Sequence, residues 1–357
     1  MAHCSVRWFD MPLSRIKFRP GVNRESTSFA DQQGWFDSDL IRFRKGYPEK
    51  IGGWVKVGSS SVAGTVRSLK VWVTLSALKL MGVGTTSKFY IEQGQAFYDV
   101  TPIRATTTDG ITFAATNGSS TITATDSTHG AVEGDFVTIS GAVSLGGLVT
   151  VLNQEYEIVS VPTTNTFTFV AKDTSGATVT ANSSDSGNGG SGADAAYQIN
   201  IGLNTQVGGT GWGAGTWGAG GWGQASNQTT VAELRLWSQD NFGEDLVINP
   251  RDGGIFYWDK SDAVTNRAVE VGALSGTTDT PSIAKQVMVS NDRHVIAFGT
   301  NPLGATAQDP LLIRFSDREN ILDWEPKATN TAGDLRIASG SQFVRAIKTK
   351  REIIIYG

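Results

Sequence analysis

The stretch Leu234-Arg-Leu-Trp-Ser-Gln-Asp-Asn-Phe-Gly-Glu-Asp-Leu-Val-Ile248, leading to Gly254-Ile-Phe-Tyr-Trp-Asp259, decides the fold. An apolar run, a polar Gly-containing turn and a second apolar run ending near aromatic residues read as consecutive short strands. The series recurs. Gln286-Val-Met-Val-Ser-Asn-Asp-Arg-His-Val-Ile-Ala-Phe298 leads to Leu311-Leu-Ile-Arg-Phe-Ser-Asp317, and Val344 to Tyr356 opens another copy. An earlier one runs through Val66–Val73, Leu78–Val83 and Lys88–Ile91. The copies beginning at Leu234, Gln286 and Val344 lie 52 and 58 residues apart, a little above the usual length of a propeller blade. One small sheet cannot bury both its faces, so such sheets must stack on neighbours around an axis. The expectation is an all-β chain on a β-propeller-like platform. A β-sandwich whose hairpins resemble one another is the competing architecture.

Composition agrees with many short strands. Apolar residues make up 39% and charged residues 18% of 357, with 42 glycines. Helix-forming runs of Ala, Leu, Glu and Lys are scarce, which favours strands joined by turns. The net charge of −4 hides an asymmetry. Residues 1–58 carry ten Lys/Arg against six Asp/Glu, whereas 105–200 carry Lys172 alone against nine acidic residues. A basic arm and an acidic middle imply different neighbours or differently solvated surfaces.

The chain is expected to divide into an arm with short strands over 1–58, a first blade over 59–104 and an inserted acidic β-domain over 105–200. A Gly/Trp-rich loop over 201–228 and further blades over 229–357 follow. The insert is rich in Thr, Ser and Gly. Its expected strands are Gly110–Ala114, Gly134–Ile139, Gln154–Val159 and Thr166–Val170, and Ser183–Gly192 reads as a flexible linker. In the following loop Trp212, Trp217 and Trp222 recur every five residues, matching neither the helix nor the strand period. They are either anchors pinning a loop to its own domain or aromatic knobs in an interface.

Little points to chemistry. Cys4 is the single cysteine and the histidines His3, His129 and His294 are scattered, so no metal site and no cofactor are expected. No Gly-x-Ser-x-Gly elbow, His-Glu-x-x-His or phosphate-binding Gly-rich loop occurs. Acidic turns such as Asp37-Ser-Asp39 and Gly243-Glu-Asp245 read as hairpin connections. The chain is expected not to be an enzyme. The N-terminus has no apolar signal-peptide core, and no apolar run is long enough to span a bilayer.

The opening segment is the strongest identifier. It contains Pro20-Gly-Val-Asn-Arg-Glu25, then Gly34-Trp-Phe-Asp37, then Ile41-Arg-Phe-Arg-Lys-Gly-Tyr-Pro-Glu-Lys-Ile-Gly-Gly-Trp54. It is dense in charge, aromatic side chains and turn residues, and needs a larger body or a partner to lie on. It resembles the start of the tail nozzle, or tail tubular B-type, proteins of short-tailed bacteriophages. Trp237–Leu246, Asp252–Asp259, and Ile313–Asp317 with Asp323-Trp324 look like further signatures of that group. The resemblance implies a virion tail protein assembled in the host cytoplasm. Its copies would form a ring, usually of six, that prolongs the DNA-ejection channel. It would dock the tail adaptor and tail fibre or spike proteins, and double-stranded DNA would meet it only in passage. Interface candidates are Arg19, Arg24, Trp35, Arg42, Arg44, Lys45, Trp54, Trp212, Trp217 and Trp222. The alternative is a carbohydrate- or receptor-binding tail component on a β-propeller, with the three loop tryptophans as sugar-stacking candidates. The chain stops at Ile353-Ile-Ile-Tyr-Gly357, inside a strand of the fourth copy, whereas a propeller closes with four to eight blades. It is therefore expected to be the N-terminal part of a longer protein.

Overall fold

The computed structural model describes residues 18–25, 27, 29, 30, 33–53, 55, 56, 61–143, 145–148, 152–188, 192–202, 234 and 236–357. The chain forms two compact units, Met1–Ser59 and Ser60–Gly357. Among the described residues the regular structure is all-β apart from one short 3-10 turn, Val271–Ala273.

In the first unit, β1 (Ile41–Arg44) and β2 (Tyr47–Lys50) form a two-stranded hairpin. Its turn is two residues long. Lys45 and Gly46 both take positive φ, 51° and 84°, as the twist-matched hairpin turn requires. Pro48 lies within β2 opposite Phe43. A two-stranded ribbon has free edges, so the missing Pro N–H breaks no ladder. Trp35 packs edge-on to Phe43 and tilted to Phe18, both at 5.8 Å, giving this segment a small aromatic cluster of its own.

The second unit opens with a four-stranded antiparallel meander: β3 (Val66–Val73), β4 (Lys79–Thr85), β5 (Phe89–Gln93) and β6 (Ala96–Asp99). Nine strands follow before the meander pattern returns. They are β7 (Ile103–Thr107), β8 (Thr112–Ala115), β9 (Thr121–Thr125), β10 (Phe136–Ser140), β11 (Glu155–Glu157), β12 (Ser160–Thr163), β13 (Thr166–Val170), β14 (Asp185–Asn188) and β15 (Asp194–Gln198). They form two sheets, ordered β11-β10-β15-β7 and β12-β13-β9-β8-β14. The alternation Thr166-Phe-Thr-Phe169 explains their packing. Phe167 and Phe169 turn inward to a core with Phe113, Ile122, Val137 and Tyr156, while the threonines turn out. Ser183–Gly192 is not simply a linker, because Asp185–Asn188 pairs with β8 as an edge strand. Its Asp-Ser-Gly-Asn composition hides a strand whose ladder is made by backbone alone.

Two more meanders follow: β16 (Trp237–Phe242), β17 (Asp245–Pro250), β18 (Phe256–Trp258), β19 (Val269–Glu270), then β20 (Ala284–Val289), β21 (Val295–Thr300), β22 (Leu312–Phe315), β23 (Gly333–Arg336). A hairpin, β24 (Arg345–Lys348) and β25 (Ile353–Tyr356), ends the series. The sheets stack face to face in chain order. The first strands β3, β16, β20 and β24 contact one another in turn, as the inner strands of propeller blades do. Trp72, Phe89, Leu246 and Trp258 fill the first interface, and Val247, Val287, Val295 and Trp324 the second. Met288, Ile313, Phe343 and Ala346 fill the third.

Small residues allow close approach at the first interface. Gly82 and Gly84 of β4 face the second blade, and a Cβ on Gly84 would lie 2.6 Å from the Trp237 ring. Trp237 packs edge-on to Phe89 at 5.0 Å and donates its Nε1–H to the Thr85 carbonyl at 2.7 Å. The Ile313–Asp317 and Asp323-Trp324 signatures meet in the third blade. Arg314, 1% exposed, donates to the Asp279 carboxylate at 2.8 Å and to the Asp279 carbonyl at 2.7 Å. It also reaches the Trp324 carbonyl, and Trp324 is fully buried. A buried guanidinium needs such a complete set of acceptors, so this signature serves the blade's packing.

Candidate functional site

The inner strands bring charged residues from four sheets onto one axis. Asp240 of β16 is the hub. Its carboxylate accepts from Lys70 Nζ of β3 at 2.6 Å, from Lys348 Nζ of β24 at 3.0 Å and from the Val289 N–H of β20 at 3.1 Å. Burial alone would raise its pKa. The lysine and backbone hydrogen bonds outweigh that and hold it below the usual carboxylate range. One ionised side chain thus ties all four sheets together.

Around this hub lies an open cavity of about 480 Å³ walled by β3, β16, β20 and β24. Six cations line it: Arg67, Lys70, Arg251, Lys285, Arg345 and Lys348. Asp240 is the one carboxylate among its described lining residues. Ser68, Ser238, Gln239 and Gln286 add polar groups. Trp237 also borders it but is buried against Phe89. The arrangement can hold a small oxyanion by charge-assisted hydrogen bonds.

A second charged constellation joins the nine-stranded region to the first blade. Lys88, 4% exposed, donates to Asp99 at 2.9 Å and to Glu155 of β11, and sits 4.6 Å from the Phe136 ring centre. Arg267 completes an alternating square, 3.3 Å from Asp99 and 3.7 Å from Glu155. For Lys88, burial would lower the pKa, but the two carboxylates raise it above its ordinary value. For Asp99, burial would raise the pKa, but Lys88 and Arg267 bring it below its ordinary value.

The acidic turn Gly243-Glu-Asp245 has structural duties. The Glu244 carbonyl accepts the Trp72 Nε1–H at 2.8 Å and its carboxylate accepts the Leu75 N–H. Asp245 accepts the Tyr257 hydroxyl and the Lys260 N–H. Burial first, and Asp245 second, push the Tyr257 pKa well above that of a free tyrosine.

The interface candidates of the opening segment fall within the first unit. Arg24 pairs with Asp37 at 2.8 Å, both exposed. Arg42 pairs across the hairpin with Glu49. Arg44 and Lys45 are exposed at the turn, the Arg19 N–H donates to the Gln33 carbonyl, and Trp35 is half-buried. Trp54, Trp212, Trp217 and Trp222 lie outside the described residues. Sequence reasoning missed the axial residues. A signal was present: the first strands of three copies each carry a lysine, Lys70, Lys285 and Lys348, while β16 carries the acid.

No protein-family model matches the chain, and no curated protein matches it in sequence. Among solved structures, a chain titled phage phi92 endosialidase aligns at 12% identity and a TM-score of 0.23. The alignment covers 91% of this chain and 44% of that one, so this chain spans less than half of its length. A TM-score that low does not establish a shared fold.

Proposed function

We propose that this chain is a structural component of a bacteriophage tail. The resemblance of its opening segment and of its blade signatures to tail proteins supports that reading. In finer detail, the axial groove supports a carbohydrate- or receptor-binding tail component: it is concave and preformed by four sheets, as small-ligand sites are, and its polar lining suits a polar ligand. That groove is the observation that carries the binding role.

The nozzle reading is supported by two naked sheet faces. On β3, Leu69, Val71 and Val73 are 61%, 64% and 57% exposed, all on the face turned away from the second blade. On the last hairpin, Ile347, Ile354 and Tyr356 are about half exposed. Apolar faces this open mark contact surfaces. Their occupant in this reading is a second copy, its β3 face continuing the series after the neighbour's β24. Gold-labelled antibody against the 105–200 region tests the tail assignment on intact particles. Label at the tail is expected, and label on the capsid overturns it. A glycan array separates the two finer readings: saturable glycan binding favours receptor recognition, and its absence favours the nozzle.

A further inference from the structure

The groove at the axis carries more positive charge at its hub than one carboxylate balances. Lys70 and Lys348 share the single carboxylate of Asp240, so this trio alone carries a net positive charge. Arg345, exposed on β24, adds to it. An ammonium has three N–H donors. Lys70 commits one to Asp240, and Lys348 commits two, to Asp240 and to the Val289 carbonyl at 2.9 Å. Donors remain on both, at positions the hub already fixes, and such preorganisation lowers the entropy cost of binding.

The lining also says what does not fit. Its one tryptophan is buried with its N–H already donated, so the described residues offer no stacking platform for nucleobases. A cavity of about 480 Å³ suits one or two sugar-sized units and not a duplex. Ser238, Gln239 and Gln286 are held in hydrogen bonds within the fold, so what the lining offers a ligand is the charge of Lys70, Lys348 and Arg345, which suits an acid group.

We infer that the axial groove binds an acidic saccharide, its carboxylate or phosphate seated among Lys70, Lys348 and Arg345. The inference rests on the carbohydrate-binding reading above and names its ligand class. The test uses the full chain on an array carrying uronate-, pyruvate- and phosphate-substituted oligosaccharides beside neutral ones of matched length. Hits are followed by calorimetry at two salt concentrations, with inorganic phosphate as a separate titrant. Acidic saccharides should bind at least tenfold more tightly than neutral ones, and the preference should shrink as salt rises. Arg345→Glu, on an exposed position, should weaken binding at least tenfold with an unchanged circular dichroism spectrum, and Arg345→Lys should weaken it less. Equal binding of acidic and neutral sugars, unaffected by Arg345→Glu, overturns the acidic ligand but leaves the carbohydrate reading standing. Binding of inorganic phosphate as tight as that of any saccharide overturns the saccharide assignment. No glycan binding at all overturns both.

Discussion

Asp240 shows how one side chain acts across a whole fold. Its carboxylate is folded into the ionised state by contacts from three other sheets, and its pKa is depressed. A carboxyl depressed on folding stabilises the native state fully above its unfolded pKa of about 3.9, and that contribution is lost as pH falls through the lower folded value. Asp99 carries the same sign. Stability measured by urea denaturation is therefore expected to hold from pH 7 to pH 5 and to fall below about pH 4. Asp240→Asn should reduce stability at pH 7 by about 2 kcal/mol, the scale of a hydrogen bond to a charged group, and should flatten the acid limb. An unchanged acid limb in that variant would remove Asp240 as the hub. Lys88 offers a second test. Lys88→Met leaves Asp99 and Glu155 facing each other with only Arg267 between them, and should cost about 3 kcal/mol, the cost of breaking a buried ion pair. A denaturation midpoint within error of the parent would sink that reading.

Packing between sheets depends on which face of each strand is small. Gly84 admits the Trp237 ring against β4, where a methyl group would come within 2.6 Å of it. Gly84→Ala should destabilise by about 2 kcal/mol through overpacking, and the Trp fluorescence should shift as the indole is displaced. A neutral effect would mean that β16 can slide on β4. The period-2 alternation of strands such as Val66–Val73, and the whole of Thr166–Val170, could be read directly from the residues. Asp185–Asn188 could not, because an edge strand of Asp, Ser, Gly and Asn presents no apolar face and pairs by backbone groups alone.

On the scale of the molecule, the series of stacked sheets leaves apolar faces at β3 and at the β24–β25 hairpin. If copies join through these faces, Val71→Asp should shift the purified protein toward the monomer in light scattering without lowering its thermal midpoint, since Val71 is exposed within the single chain. An unchanged mass distribution would exclude that face from assembly. The candidate site belongs to this scale too. Lys70, Asp240, Lys285 and Lys348 come from four separate sheets, and within its own strand each reads as an ordinary charged residue.

The residues by themselves determined the all-β class and the recurrence of blade-like meanders, because period-2 alternation and Gly-containing turns are local properties. They also determined the inward set Phe167 and Phe169. Only the tertiary structure decided which face of each strand meets the next sheet, which stays naked, and that Lys70, Lys348 and the Val289 N–H converge on Asp240. These are contacts between residues far apart in the chain, set by how sheets stack, and no local pattern encodes them.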